Sequence, residues 1–282
     1  MLDITRQAFN KYLKNKDKPW KYNHLADMIL TILKEDECND RYGRVRMVDA
    51  LKDRFPNDII PSEQIVDRVM KKLKINHFRS PGPKGITRAD KEARKSEDLL
   101  RRNFYIDRPY TKLITDITEI PCKNKKIYVS VIFDCFNLKA LGIAIRDYET
   151  ADLVIESLEN AYRMYPQIRG AILHSDRGTQ YTSKKYREKL KIYGIIQSMN
   201  SDGGRCHDNA RCEAMWARMK EEQLYHRYNT KKMDNETVKQ IIWRYYMSYW
   251  NNRSISTALG VITPIKKEQQ YYKNQQTNTQ VA

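Results

Sequence analysis

The chain has 282 residues, 40% of them hydrophobic and 31% charged, so one large domain or two modest ones can form and wholesale disorder is excluded. Its 52 Lys and Arg against 35 Asp and Glu leave a formal charge of +17, an excess that suits a polyanionic partner, either nucleic acid or an anionic membrane surface. Membrane insertion is excluded, because the best apolar run, residues 25–33, is short and interrupted by Asp27, and residues 1–14 lack the apolar core of a secretory signal. Five Cys, at 38, 122, 135, 206 and 212, form no CxxC pair, which argues against a disulfide framework and a Cys-rich zinc site. The expectation is a cytoplasmic, nucleoid-associated protein.

Residues 1–75 read as helical. Leu25, Ile29, Leu30 and Leu33 are spaced to share one helix face. A second helix runs over 44–55, and a third follows Pro61 and Ser62 with Ile65, Val66, Val69, Met70 and Leu73 inward. Ser62 is the expected N-cap, its hydroxyl accepting a bond from an orphan N–H of the first turn. A basic linker over 76–105 comes next: residues 71–102 hold eleven Lys and Arg against four Asp and Glu, and RSPGPKG at 79–85 forbids a continuous helix. Such a run is either a solvated linker or a contact to a phosphate backbone.

From about Tyr105 the pattern turns to strands, at 113–120, 127–133 and 138–145, the first two joined by the short link CKNKK and so paired as a hairpin. An amphipathic helix over 150–165 precedes a buried strand at 170–174. A helix at 183–193, a strand at 195–199 and helices over 208–225 and 236–251 complete the order. This succession predicts an α/β domain over 106–230, a mixed sheet with helices on its faces, followed by a C-terminal helix and tail over 231–282. The Gln/Asn-rich end at 273–282 is expected to fray. On the last predicted helix, Ile242, Tyr246 and Tyr249, and likewise Trp243, Met247 and Trp250, have the periodicity of packed residues.

Three acids carry the candidate chemistry. Asp116 lies within the first strand in LITDITEIP, Asp176 follows the fourth in ILHSDRGTQYTS, and Glu213 sits on the helix of SDGGRCHDNARCEAMWARMKEE. A carboxylate just past a central strand lies at the rim where α/β sheets bind ligands. If the three converge, their repulsion raises their pKa values unless a cation neutralises them, and hard oxygen donors of this kind suit Mg2+ or Mn2+. Taken singly, each acid is better explained as a solvated charge or a cap. Asp134, ending the second strand, reads as structural or as a support to the site. Glu119, three residues from Asp116, should point to the other face, and Glu221 and Glu222 read as solvated. Lys220, seven residues after Glu213, shares its helix face about 10 Å away and is a candidate phosphate contact; Arg177, beside Asp176, is a second. His174 reads as a packed core residue rather than a base.

The blocks TDITEIP, HSDRGTQYTS and SMNSDGGRCHDNARCEAMWARMKEE, in this order, resemble the integrase catalytic core of insertion-sequence transposases, in particular the second-reading-frame products of the IS-three family. The resemblance spans about residues 40–265. The stretch beginning YGRVRM looks like the family's helix-turn-helix-like region, and YWNNRSISTALGVITP resembles its C-terminal signature. It implies a ribonuclease-H-like fold with a mixed five-stranded sheet. It also implies a D,D,E triad, which falls by motif on Asp116, Asp176 and Glu213 as catalytic, metal-holding residues, with Mg2+ or Mn2+ as cofactor. Two departures stand out. Thirty-six residues separate Asp176 from Glu213 where the family usually has thirty-five, and the extra one fits within the SDGGR loop. Arg253 is followed by Ser254 and Ile255 where Arg-x-His is common.

The activity implied by the resemblance is metal-dependent strand cleavage at the ends of an insertion sequence, followed by strand transfer. The partners are then DNA, both element ends and target, and a homo-oligomer in a synaptic complex, because two DNA sites are joined. In this family a first reading frame supplies a separate helix-turn-helix product. The alternative reading is that, without this upstream-frame partner, the chain is inactive and serves as a non-specific DNA-binding or regulatory subunit.

Overall fold

Periodic apolar residues build the first of two units, Met1–Phe78, in the computed structural model, which describes residues 5–15, 19–75, 97–100, 103–200, 210–225 and 227–281. Helix α1 (Arg6–Asn15) buries none of its residues. Helices α2 (Asn23–Glu35), α3 (Arg44–Arg54) and α4 (Glu63–Lys72) pack on one another around Ile29, Ile32, Met47, Leu51, Val66 and Val69. The inward stripe of α2 is Leu25, Met28, Ile29 and Ile32, so Leu30 is exposed and Leu33 only half-buried, against the expected face. Ile65 and Leu73 are also only half-buried. Ser62 stands at the N-cap of α4 in extended backbone, but its hydroxyl makes no capping bond. Its carbonyl alone accepts from Ile65 and Val66 N–H, at 3.0 and 3.1 Å. Most of the basic linker, residues 76–96, lies outside the described residues.

The second unit, Arg79–Ala282, is built on a hairpin. Strands β1 (Lys112–Ile120) and β2 (Ile127–Asp134) pair antiparallel with Asp116 opposite Val131, and β3 (Ala140–Arg146) adds antiparallel to β2. Helix α5 (Ala151–Met164) crosses the sheet next. At Gly142 a side chain would stand 2.5 Å from the Ala161 amide nitrogen, so glycine is what allows α5 to lie this close. Strand β4 (Ile172–Ser175) then pairs parallel with β1, placing His174 beside Ile114. After α6 (Thr179–Thr182) and α7 (Lys184–Tyr193), β5 (Ile196–Met199) pairs parallel with β4. The strand order β3-β2-β1-β4-β5 is that of a ribonuclease-H-like sheet. Ser183 caps α7 by accepting from Tyr186 N–H, and Gly194, at φ +67°, ends it in the left-handed region.

Helix α8 (Ala210–Met219) runs on into a wide turn of π type at Lys220–Leu224, and α9 (Asn235–Arg244) into another at Tyr245–Trp250. Each wide turn admits an extra residue and so rotates the residues beyond it relative to a regular helix. Trp250 is therefore buried while Trp243 is 54% exposed, although their spacing predicts a shared face. For the same reason Glu222, expected in solvent, is buried. Its Oε1 lies 2.7 Å from Arg218 Nε, and its Oε2 accepts from the Tyr245 hydroxyl at 2.7 Å. Glu221 is half-buried.

The sheet is covered on both faces. On one, Leu113, Ile132 and Leu141 join Val154, Leu158, Tyr181, Tyr186 and Leu190 in a single core. On the other, the Phe133 ring meets Trp216, Tyr246 and Trp250 edge-on. The C-terminal signature ties the last helices to the sheet edge: the Asn251 amide accepts from Ala140 N–H and donates to Ala140 C=O, both at 2.9 Å, and Trp250 Nε1 donates to Leu138 C=O at 2.7 Å. Helix α10 (Pro264–Val281) continues through the end expected to fray. Its Glu268 is held by Lys139 at 2.5 Å and by the Tyr110 hydroxyl, and its Gln residues sustain helix well. No helix among the described residues is long and apolar enough to cross a membrane.

Candidate active site

Strand alternation sends Leu113, Thr115 and Ile117 of β1 to the α5 side, and Ile114, Asp116 and Thr118 to the side where α8 lies. The parallel register sets Ile114 beside His174, two residues before Asp116 and Asp176 on their strands, and the Asp176 charge acts on Asp116. Asp176 is half-buried just past β4, where its Oδ1 accepts from Gly178 N–H at 3.0 Å and turns the chain toward α6. Glu213 lies in the first turn of α8 and is exposed. One turn further on, Trp216 donates its indole N–H to Asp116 Oδ2 at 3.1 Å.

Electrostatics couples the three acids. Burial, then the Asp176 charge, and to a smaller extent the Glu213 charge push the Asp116 carboxyl up to about 8, while the Trp216 and Ile117 N–H bonds act in the opposite direction. Burial also raises Asp176, opposed by the Gly178 N–H and by His174. A divalent cation would relieve this excess of negative charge, and the donors are hard carboxylate oxygens that suit Mg2+ or Mn2+. Charge and donor type therefore fit such an ion. As placed, no group of three His, Cys, Asp or Glu among the described residues forms a ready metal-holding cluster.

The surrounding residues divide between site and scaffold. Lys220 is half-buried, donates to Thr118 Oγ1 at 2.7 Å, and has its ammonium pKa lowered by burial against the opposing pull of Glu119 and Asp116. Arg177 donates from Nε to Asn200 C=O at 2.5 Å, beside Asp176 but directed at the strand end. Glu119 is exposed and pairs with Lys126 at 2.9 Å. Asp134 lies opposite Leu113. Fully buried, it accepts from Tyr110 and Phe136 N–H at 2.8 and 2.9 Å, a structural role, with its carboxyl pushed up to about 6 by burial. His174 is buried, its two ring nitrogens 2.8 Å from Ser198 Oγ and Asn200 Oδ1. Residues 201–209, with the SDGGR insertion and Cys206, lie outside the described residues.

Sequence reasoning missed Trp216 and Thr118. The signal available was their spacing: Trp216 is three residues after Glu213 on a helix, and Thr118 two after Asp116 on a strand, each on its acid's own face.

Residues 106–204 match the integrase core domain family. Over 277 residues, 96% of this chain, the protein is 31% identical to InsK of Escherichia coli (strain K12), named as a transposase for insertion sequence element IS150, and it covers 92% of that relative. The transposase InsF for insertion sequence IS3A, from the same organism, is 26% identical over 225 residues, 79% of this chain and 75% of that one. Among solved structures, the HTLV-2 integrase catalytic core domain in complex with magnesium is 16% identical, with a TM-score of 0.41 over 57% of this chain and 97% of that one. The chain belongs to the IS-three family of insertion-sequence transposases.

Proposed function

We propose that this chain catalyses DNA transposition as a metal-dependent polynucleotidyl transferase, with Asp116, Asp176 and Glu213 as its metal-holding triad. The observation that carries the reading is the electrostatic meeting of the three acids, supplied by a central strand, the end of its parallel neighbour and a helix bonded to the first acid through Trp216. Bound Mg2+ or Mn2+ would activate the attacking oxygen and stabilise the leaving oxygen. Asp116, pushed up to about 8, must give up its proton before both its oxygens can serve as donors. Trp216 holds one of those oxygens in place. The Lys220 ammonium lies on the same side as Asp116, where it and Arg177 would contact phosphates flanking the scissile bond.

The reaction is two in-line displacements without a covalent enzyme intermediate. In the first, water attacks phosphorus at the element end and the bridging 3′ oxygen leaves with the bonding electrons, taking up a proton. In the second, the resulting 3′-hydroxyl loses its proton and attacks a target phosphodiester, whose own 3′ oxygen leaves. The basic segment 76–105 would hold the DNA backbone, giving strong salt dependence. A homo-oligomer would bring the two DNA sites together.

The test is strand cleavage and joining on a short duplex carrying the element's own ends, with Mg2+, Mn2+ or EDTA, for wild type, Asp116→Asn and Glu213→Gln. Activity that requires metal and vanishes in both variants supports the triad. Activity indifferent to metal or to both substitutions overturns it. If wild type binds DNA without cutting it, fusion to the upstream-frame product distinguishes the readings: rescue makes this chain the catalytic half, and continued silence favours a regulatory subunit.

A further inference from the structure

Helix α10 is rooted near its start and bare beyond. Glu268 meets Lys139 Nζ at 2.5 Å and accepts from the Tyr110 hydroxyl. The Tyr271 ring lies edge-on to Phe136, with 5.4 Å between centroids, and the Lys267 ammonium lies over the same Phe136 ring. At 3.6 residues per turn, Lys267, Glu268 and Tyr271 share one side of the helix, and the opposite side carries Gln269, Gln270, Lys273, Gln276 and Thr277. All five are exposed. The root lies on the turn between β2 and β3, where Phe136 follows Cys135, whose carbonyl accepts from Arg211 of α8 at 3.2 Å.

The chemistry of the outward side selects its partner. Residues 269–282 hold no Asp or Glu, and Lys273 sits in the middle of the exposed stripe, so the charge complements a polyanion. Residues 273–280 include no apolar one, so a second helix would find no stripe to bury. Amide side chains both donate and accept hydrogen bonds, as the edges of base pairs do. From Gln269 to Thr277 the helix rises about 12 Å, the length of three to four base-pair steps of about 3.4 Å.

We propose that the exposed side of α10 enters the major groove of duplex DNA and reads base edges there through Gln269, Gln270 and Lys273. A Gln amide matches adenine N6 and N7, and a Lys ammonium matches guanine O6 and N7. The inference rests on the reading of this chain as acting on DNA and is independent of the triad.

The experiment is equilibrium binding of the full chain in EDTA, by fluorescence anisotropy, to two labelled duplexes of equal length and composition. One carries the element's own end and the other a scrambled sequence. Gln269→Ala/Gln270→Ala should bind the scrambled duplex as wild type does and lose about tenfold of the preference for the element end. Alanine sustains a helix at least as well as glutamine, so the loss reports the amides rather than the fold. Lys273→Ala should lower the preference in the same sense.

A preference unchanged in both variants overturns the reading role, as does a wild type that binds the two duplexes equally or not at all. An equal loss on both duplexes overturns it too, because it marks phosphate contact without sequence. Cleavage in Mg2+ by Asp116→Asn reports separately on the triad. If that cleavage is lost while Gln269→Ala/Gln270→Ala keeps the wild-type preference, the triad stands and the role of α10 is refuted.

Discussion

Asp116→Asn should make the metal-free protein more stable, and increasingly so as pH rises. The Asp116 carboxyl sits at 3.8 in an unfolded chain and is pushed up to about 8 in the folded one, by burial first and then by Asp176. Above pH 4 the unfolded chain releases this proton while the folded chain keeps it. Folding then takes up a proton, and the stability conferred by the group falls as pH rises. Each tenfold difference in proton affinity is about 1.4 kcal/mol, so the loss builds between pH 4 and pH 8 to at most about 6 kcal/mol, after which it is constant. Asparagine carries no charge to desolvate, and its carbonyl oxygen can still accept from Trp216 Nε1. Urea unfolding in EDTA, at pH 5 and at pH 8.5, should therefore show an advantage for Asp116→Asn that grows by a few kcal/mol between the two. Mg2+ at pH 8.5 should narrow that gap by stabilising wild type alone. An advantage independent of pH, or one that shrinks as pH rises, would refute the claim that the carboxylate is held in a charge-averse site.

Packing and bonding set three further outcomes. Gly142→Ala drives a methyl group into the backbone of α5, 2.5 Å from Ala161 N and closer still to Ser157 C=O, and should lower stability by about 3 kcal/mol. Gly170→Ala, at φ +83° with nothing within 4 Å, should lose only the ~1 kcal/mol of a left-handed alanine; equal losses in the two denaturation curves would count against the close approach of α5. Glu222→Ala leaves half-buried Arg218 without its carboxylate and should lower stability by about 3 kcal/mol, with Glu222→Gln recovering part of it because an amide oxygen can still accept. Asn251→Ala strands both polar groups of Ala140 and should lose about 2–4 kcal/mol by thermal or urea unfolding, with amide exchange accelerated first along β3.

The strands and the hairpin were legible in the sequence because alternation of β-branched residues on β1 and β2 is a short-range signal, and so was the helix–strand–helix–strand succession that follows them. The inward face of α2 was not, because Leu30 and Leu33 fit the helical period as well as Met28 and Ile32 do, and only the positions of α3 and α4 choose between them. Trp243 and Glu222 were misplaced for one shared reason: a π-type turn rotates the residues beyond it, and nothing in the local spacing announces it. Ser62 was correctly located at the start of α4, yet a hydroxyl's rotamer depends on its surroundings, and here no side-chain cap forms. The three acids of the candidate site could be named only through motif resemblance. Their spacings, 60 and 37 positions along the chain, say nothing about distance, and it is the parallel pairing of β1 with β4, Ile114 beside His174, that carries the two strands toward the same end of the sheet.

The two bonds between α8 and β1 also bear on how such a chain can change over time. A helix located by what it touches on the sheet takes no measurement from the segment that leads into it. A change in the number of residues between β5 and α8 then need not move Trp216 off Asp116 or Lys220 off Thr118. Thirty-six residues between Asp176 and Glu213, rather than thirty-five, are compatible with both contacts. On this view a count of residues along the chain matters less to the helix than the contacts it makes across the sheet.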